Sequence, residues 1–133
     1  MRKLARETAF KVIYKSFFLD DNLEADEILE EEGISEQQDI DFVSKIIEEY
    51  KNNKDSIIQS IGSKSKSFSL DRIYKIDLAI LCEAITEILY YKKTPYKIVI
   101  NEAVEMAKKY STEKSYAYVN GILKSVVEEG NVV

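Results

Sequence analysis

A chain of 133 residues, 45% hydrophobic and 32% charged, can bury a real core as one domain or two tightly joined subdomains. It has no histidine and one cysteine, Cys82, which removes Ser-His and Cys-His nucleophiles, an internal disulfide and a cysteine zinc site. No apolar run is long enough for a membrane-spanning helix, and the start Met1-Arg2-Lys3 lacks the apolar core of a signal peptide, which places the chain in the cytoplasm.

The net charge of −5 is unevenly spread. Residues 1–19 carry five basic and one acidic side chain, net +4. Their pattern predicts an amphipathic helix over 2–19, with Leu4, Ala5, Ala9, Val12, Ile13 and Phe17 inward. Residues 20–49 carry thirteen acidic groups and one basic, net −12. Asp20, Asp21, Glu24, Asp26, Glu27 and Glu30 to Glu32 lack the spacing of a calcium loop, so they read as a solvated face. A short helix is expected over 23–31, burying Leu23, Ile28 and Leu29 and ending near Gly33. Ser35 and Gln38 form a capping-box pattern for a helix over 36–51, with Phe42, Val43, Ile46, Ile47 and Tyr50 inward. A further short helix is expected over 54–61.

Residues 50–75 are again basic, net +4, and 62–67 (Gly-Ser-Lys-Ser-Lys-Ser) form the one linker-like stretch. It divides the chain into segments of about 1–62 and 70–133, joined by 62–69. A long helix is expected over 70–91, bent near 75–78, with Cys82 as a small core residue. Thr94 and Pro95 suit the start of a helix over 95–110, with Ile98, Ala103, Val104, Ala107 and Tyr110 on one face. The last helix, 115–129, buries Tyr116, Val119, Ile122, Leu123, Val126 and Val127. Gly121 inside this pattern suggests a close helix contact. Seven helical segments and no strand make the class all-α.

The run Pro95 to Val127 carries a resemblance. Its P-Y-K-I-V-I-N-E-A-V-E-M-A-K-K-Y segment, followed by S-Y-A-Y-V-N-G-I-L, resembles the C-terminal half of the NusB family of transcription antitermination factors. Arg2-Lys3-Leu4-Ala5-Arg6-Glu7 with Tyr14 is similar to the family's basic first helix. The stretch from Leu70 through Asp77 to Leu89 is similar to its central helix. The resemblance implies two small helical subdomains packed together. It implies a non-enzymatic adaptor, without cofactor or metal, that with the ribosomal protein NusE holds single-stranded boxA RNA in the RNA polymerase antitermination complex. Self-association as a homodimer stays open.

Site residues follow from both sources. Arg2, Lys3 and Arg6 lie near one edge of the first turns, where guanidinium forks match phosphate oxygens. The resemblance makes them RNA ligands. Tyr110, Lys114, Tyr116 and Tyr118 cluster around the last interhelical gap, and exposed aromatic faces stack single-stranded bases. Tyr116 shares the buried stripe, which leaves Tyr110, Lys114 and Tyr118 for RNA. Asn101, Glu102 and Asn120 read as buried polar groups holding helix ends. Asp71 and Asp77 suit a helix N-terminus. The resemblance places them, with Tyr14, near the NusE surface. Two alternatives remain: a NusB-like domain of an RNA cytosine methyltransferase, and a protein–protein module without RNA binding.

Overall fold

The computed structural model describes residues 2–19 and 25–130. Six α-helices carry the fold: α1 Arg2–Ser16, α2 Asp26–Glu31, α3 Gln37–Lys64, α4 Lys75–Thr86, α5 Tyr96–Tyr110 and α6 Ser115–Glu129. A 3-10 turn, Leu70–Arg72, precedes α4, and a π-helical turn, Glu87–Tyr91, extends it. No strand occurs among the described residues. Asp20, Asp21, Leu23 and Glu24 of the acidic segment lie outside them.

Helix α4 is the hub. Every residue from Leu78 to Thr86 is buried, and α4 contacts α1, α3, α5 and α6. A helix apolar on nearly all sides has to be central. Around it runs one contiguous core with contributions from all six helices, including Phe42, Ile46, Ile61, Ile80, Ile85, Val99 and Leu123. Each such side chain, fully buried, contributes roughly 1.5–3 kcal/mol. Cys82 is fully buried, and burial pushes its thiol up to about 12, so it behaves as a core residue.

Several expected boundaries shift. The segments 36–51 and 54–61 are two arms of the single helix α3, kinked at Asn53 (φ −125°, ψ 15°). The Asn53 amide donates to the Glu49 carbonyl at 2.8 Å, a side-chain bond that competes with the helix backbone and bends it without ending it. The same helix runs on through Gly62 to Lys64, into the expected linker. Glu36 rather than Ser35 occupies the N-cap, and no side-chain cap bond forms there. Pro95, not Thr94, caps α5: its carbonyl accepts from the amides of Ile98 and Val99. The buried face of α5 is Val99, Ile100, Ala103, Met106 and Ala107, which leaves Ile98 half-exposed. Gly62 lets the chain pack closely here, since a Cβ there would meet the Leu70 side chain at 3.0 Å and push it back. That close approach seats the 3-10 turn against the end of α3.

Charges were not expected inside this core, yet it holds several. Arg6, 3% exposed, donates from Nε and an Nη to the two carboxylate oxygens of Glu87, each at 2.8 Å. Burial alone would raise Glu87. The hydrogen bonds from Arg6 and Glu83, the guanidinium charge and the Thr94 hydroxyl outweigh it and hold the carboxylate below its ordinary range. Glu83, one turn earlier and fully buried, receives no donor on either oxygen. Burial first, then the charge of Glu87, push its pKa well above the usual carboxylate value. It therefore stays protonated and donates to Glu87.

This arrangement sets a pH dependence. Folded Glu83 keeps its proton where the unfolded chain, with an ordinary value of 4.5, has lost it, so its contribution to stability falls as pH rises above that value. Glu83→Gln keeps a donor for Glu87 and removes the titration. The variant should match wild type near about pH 4 and exceed it near about pH 8. Urea midpoints at the two pH values measure this, and an equal change at both would mean that Glu83 is ionised in the fold.

Candidate nucleic-acid interface

The α5–α6 connection, residues 111–114, is fastened from below by one carboxylate. Asp77, 3% exposed in the first turn of α4, accepts from Ser111 Oγ at 2.6 Å and from Ser115 Oγ at 2.9 Å. With the Ser115 proton committed to Asp77, the Thr112 hydroxyl donates to Ser115 Oγ at 2.8 Å. Both ends of the connection are thus tied to the central helix. The negative charge also suits the positive end of α4.

Above this clamp lies a cleft of about 410 Å³ lined by Phe68, Arg72, Tyr74, Lys114 and Tyr118, among others. Tyr74 is 61% and Phe68 46% exposed. Phe68 and Tyr118 meet edge to face, centroids 5.5 Å apart. Ser65 gives its proton to the Phe68 carbonyl, so the Tyr118 hydroxyl is the donor in their 2.7 Å contact. Burial raises the Tyr118 hydroxyl above its ordinary value, so it remains a donor at neutral pH. Aromatic faces beside Arg72 and Lys114 are the combination that holds single-stranded bases and their phosphates.

The expected RNA ligands do not all reach this surface. Lys114 and Tyr118 line the cleft. Lys3 is exposed on α1, one turn before Glu7 on the same face. Glu7 is buried and accepts from Tyr110 Oη at 2.8 Å and from Lys109 Nζ at 3.1 Å, which joins that face of α1 to the end of α5. The Tyr110 ring is engaged besides, 5.3 Å from Phe10 and within 5.4 Å of both Lys11 and Lys109. Arg2 turns elsewhere, its guanidinium 4.2 Å from the centre of the Phe42 ring. Arg6 is buried against Glu87 and is corrected from phosphate ligand to core ion pair.

The partner residues divide similarly. Asp71 is exposed and accepts from Ser69 at 2.6 Å. Asp77 is enclosed by its hydroxyl donors, which corrects its expected place on a protein interface. Tyr14 is half-buried beside Phe10 and Phe18, the latter 60% exposed. Tyr116, expected in the core, is 43% exposed under Lys108. Ser115 takes the inward position in the first turn of α6 because Asp77 holds it there. Sequence reasoning passed over Phe68, Arg72 and Tyr74. Aromatic and basic residues flanking the serine-rich stretch were the available signal.

Relatives agree with this architecture. The sequence pattern of the NusB family matches residues 3–128. The chain belongs to the NusB family. The transcription antitermination protein NusB of Finegoldia magna is 40% identical over 129 residues, 96% of this chain and 93% of that protein. The NusB of Alkaliphilus oremlandii is also 40% identical, over 96% and 94% of the two chains. Among solved structures, T. maritima NusB superposes with a TM-score of 0.86 at 31% identity, covering 97% of this chain and 92% of its own. A crystal structure of antitermination factors NusB and NusE in complex with dsRNA matches with a TM-score of 0.88 at 26% identity, over 96% of each chain.

The Asp77 clamp is directly testable. Asp77→Ala leaves the buried Ser115 hydroxyl and the half-buried Ser111 hydroxyl without their acceptor and should lower folding stability by about 1.5–3 kcal/mol, the range for hydrogen bonds to charged groups. Amide exchange should quicken at residues 111–115 and stay unchanged in α3. Unaltered exchange in the connection would remove the clamp.

Proposed function

We propose that this protein is a transcription antitermination factor, an RNA-binding adaptor that acts with NusE on boxA-like RNA in nascent ribosomal transcripts and helps RNA polymerase resist termination. It works in the cytoplasm, by summed binding energies and without a chemical step. The observation that carries the RNA-binding reading is the cleft, where three aromatic rings and two cations, beside Glu113 and the enclosed Asp77, adjoin a connection that Asp77 ties to α4. Relatives matched over nearly their full length are antitermination proteins, which favours this reading over a methyltransferase domain. The structural relative in complex with NusE and double-stranded RNA supports both partners. The RNA track runs from Lys3 past Lys109 and Tyr110 to Arg72, Lys114 and Tyr118. The NusE contact uses Asp71 and Tyr14, with Asp77 acting indirectly through the connection it positions.

Titration of a boxA-like single strand and of its duplex, with and without NusE, tests this at several salt concentrations. If Lys3, Arg72 and Lys114 each neutralise one phosphate, the slope of log K against log salt for the single strand should be about −2. Changing all three to Gln should bring it close to zero while the helical circular dichroism is retained, and a full slope in the variant would refute the track. Asp71→Lys should weaken NusE and spare RNA.

Tyr118 separates ring from hydroxyl. Tyr118→Ala should lose roughly 1–3 kcal/mol of RNA affinity. Tyr118→Phe should keep the affinity and lose about 0.5–1.5 kcal/mol of folding stability with the bond to Ser65. RNA affinity and urea midpoint of each variant, read together, decide between a stacking ring and a purely structural one.

A further inference from the structure

Helices α5 and α6 also enclose a second, larger concavity of about 730 Å³ that shares no lining residue with the RNA cleft. Its floor is aliphatic: Ile100, Val104 and Val127. Its depth comes from Gly121, where an added Cβ would find no atom within 4 Å, so this glycine serves no helix contact and simply leaves space. Lys97, Lys108 and Lys124 stand around it against one carboxylate, Glu128. That inverts the charge of a chain whose net value is −5. Asn101 and Asn120, expected as buried amides, line the groove instead, partly or fully exposed and with no hydrogen-bond partner among the described residues.

The geometry points to a docking groove for an acidic peptide segment of a protein partner, with Asp or Glu flanking aliphatic side chains. The aliphatic floor accepts Leu or Ile, and the three lysines complement the acids. Each asparagine amide offers a donor and an acceptor, which fits a peptide backbone in a groove. RNA fits less well: the floor is aliphatic, and of the two rings that line the groove Tyr96 is half-buried and Tyr116 lies under Lys108, 5.2 Å away. The adaptor would then carry RNA on one side of the α5–α6 hairpin and a protein segment on the other.

A display library of random short peptides, panned on the full-length protein, supplies the probe. Selected peptides should combine Asp or Glu with Leu or Ile. A fluorescent synthetic copy should bind wild type and lose at least tenfold in affinity with Gly121→Leu, which fills the groove. Leu also favours helix over Gly, so the melting temperature of this variant should hold or rise, which separates a filled groove from a damaged fold. Lys97→Glu with Lys124→Glu should weaken the same peptide and leave boxA RNA binding unchanged. Selection of peptides without acids, or equal affinity for Gly121→Leu, overturns the proposal. Loss of RNA affinity in Gly121→Leu would give the groove to RNA. A wild-type dimer that Gly121→Leu dissociates would give it to a second copy of the chain. Either result also overturns the proposal.

Discussion

The structure depends on the pairing of Arg6 with Glu87 inside the core. The two residues are 81 positions apart, and their two parallel hydrogen bonds join α1 to the end of the central helix. Removing either partner would leave a bare charge in an apolar interior, a loss of about 3–5 kcal/mol, whereas an apolar replacement of both can be neutral. The pair therefore fixes where α1 lies more than it adds net stability. With α1 fixed, Glu7 meets Tyr110 and Lys109, and the first helix comes to border the candidate RNA surface.

Glu83 completes this arrangement. One guanidinium cannot balance two carboxylates, and the excess is removed by leaving Glu83 protonated. A hydrogen bond between a neutral acid and a carboxylate then replaces a repulsion. A short polar stretch at the end of α4 thus sits within an otherwise apolar helix without an uncompensated charge.

Much of the fold was legible in the sequence where punctuation and periodicity agree. Pro95 and the polar run 111–114 bounded α5 and α6 to within a residue. Asn53 was harder, because a polar pair in mid-pattern reads as a break whether the helix bends or stops. Long-range pairing was illegible: Arg6, Glu7, Asp77, Glu83 and Glu87 are charged, and periodicity assigns charge to the surface. Their partners lie on other helices or, for Glu83 and Glu87, in an interior that no local pattern reveals. The same limit misplaced Tyr116, since a helical stripe cannot show that a serine anchored to a distant aspartate has taken the inward position. Of the candidate site, Tyr118 could be read from the family motif and Lys114 from its place beside the tyrosines of the last interhelical gap. Arg72 and Phe68 needed the close approach at Gly62 that brings residues before α4 alongside α6.

The π-helical turn Glu87–Tyr91 bears on how this chain can change length. Its wide loop closes with the Lys92 amide on the Glu87 carbonyl, one residue beyond the usual helical bond, and Lys92 takes up a left-handed conformation (φ 63°). Such a turn holds one residue more than the α-helix has room for. Deleting a residue there would restore regular winding and turn the point where the chain leaves the central helix by about 100°. The α5–α6 hairpin would then leave the hub with its groove and its share of the cleft pointing in new directions. Substitutions in this turn can be absorbed side chain by side chain, but its residue count is fixed by two surfaces that lie beyond it.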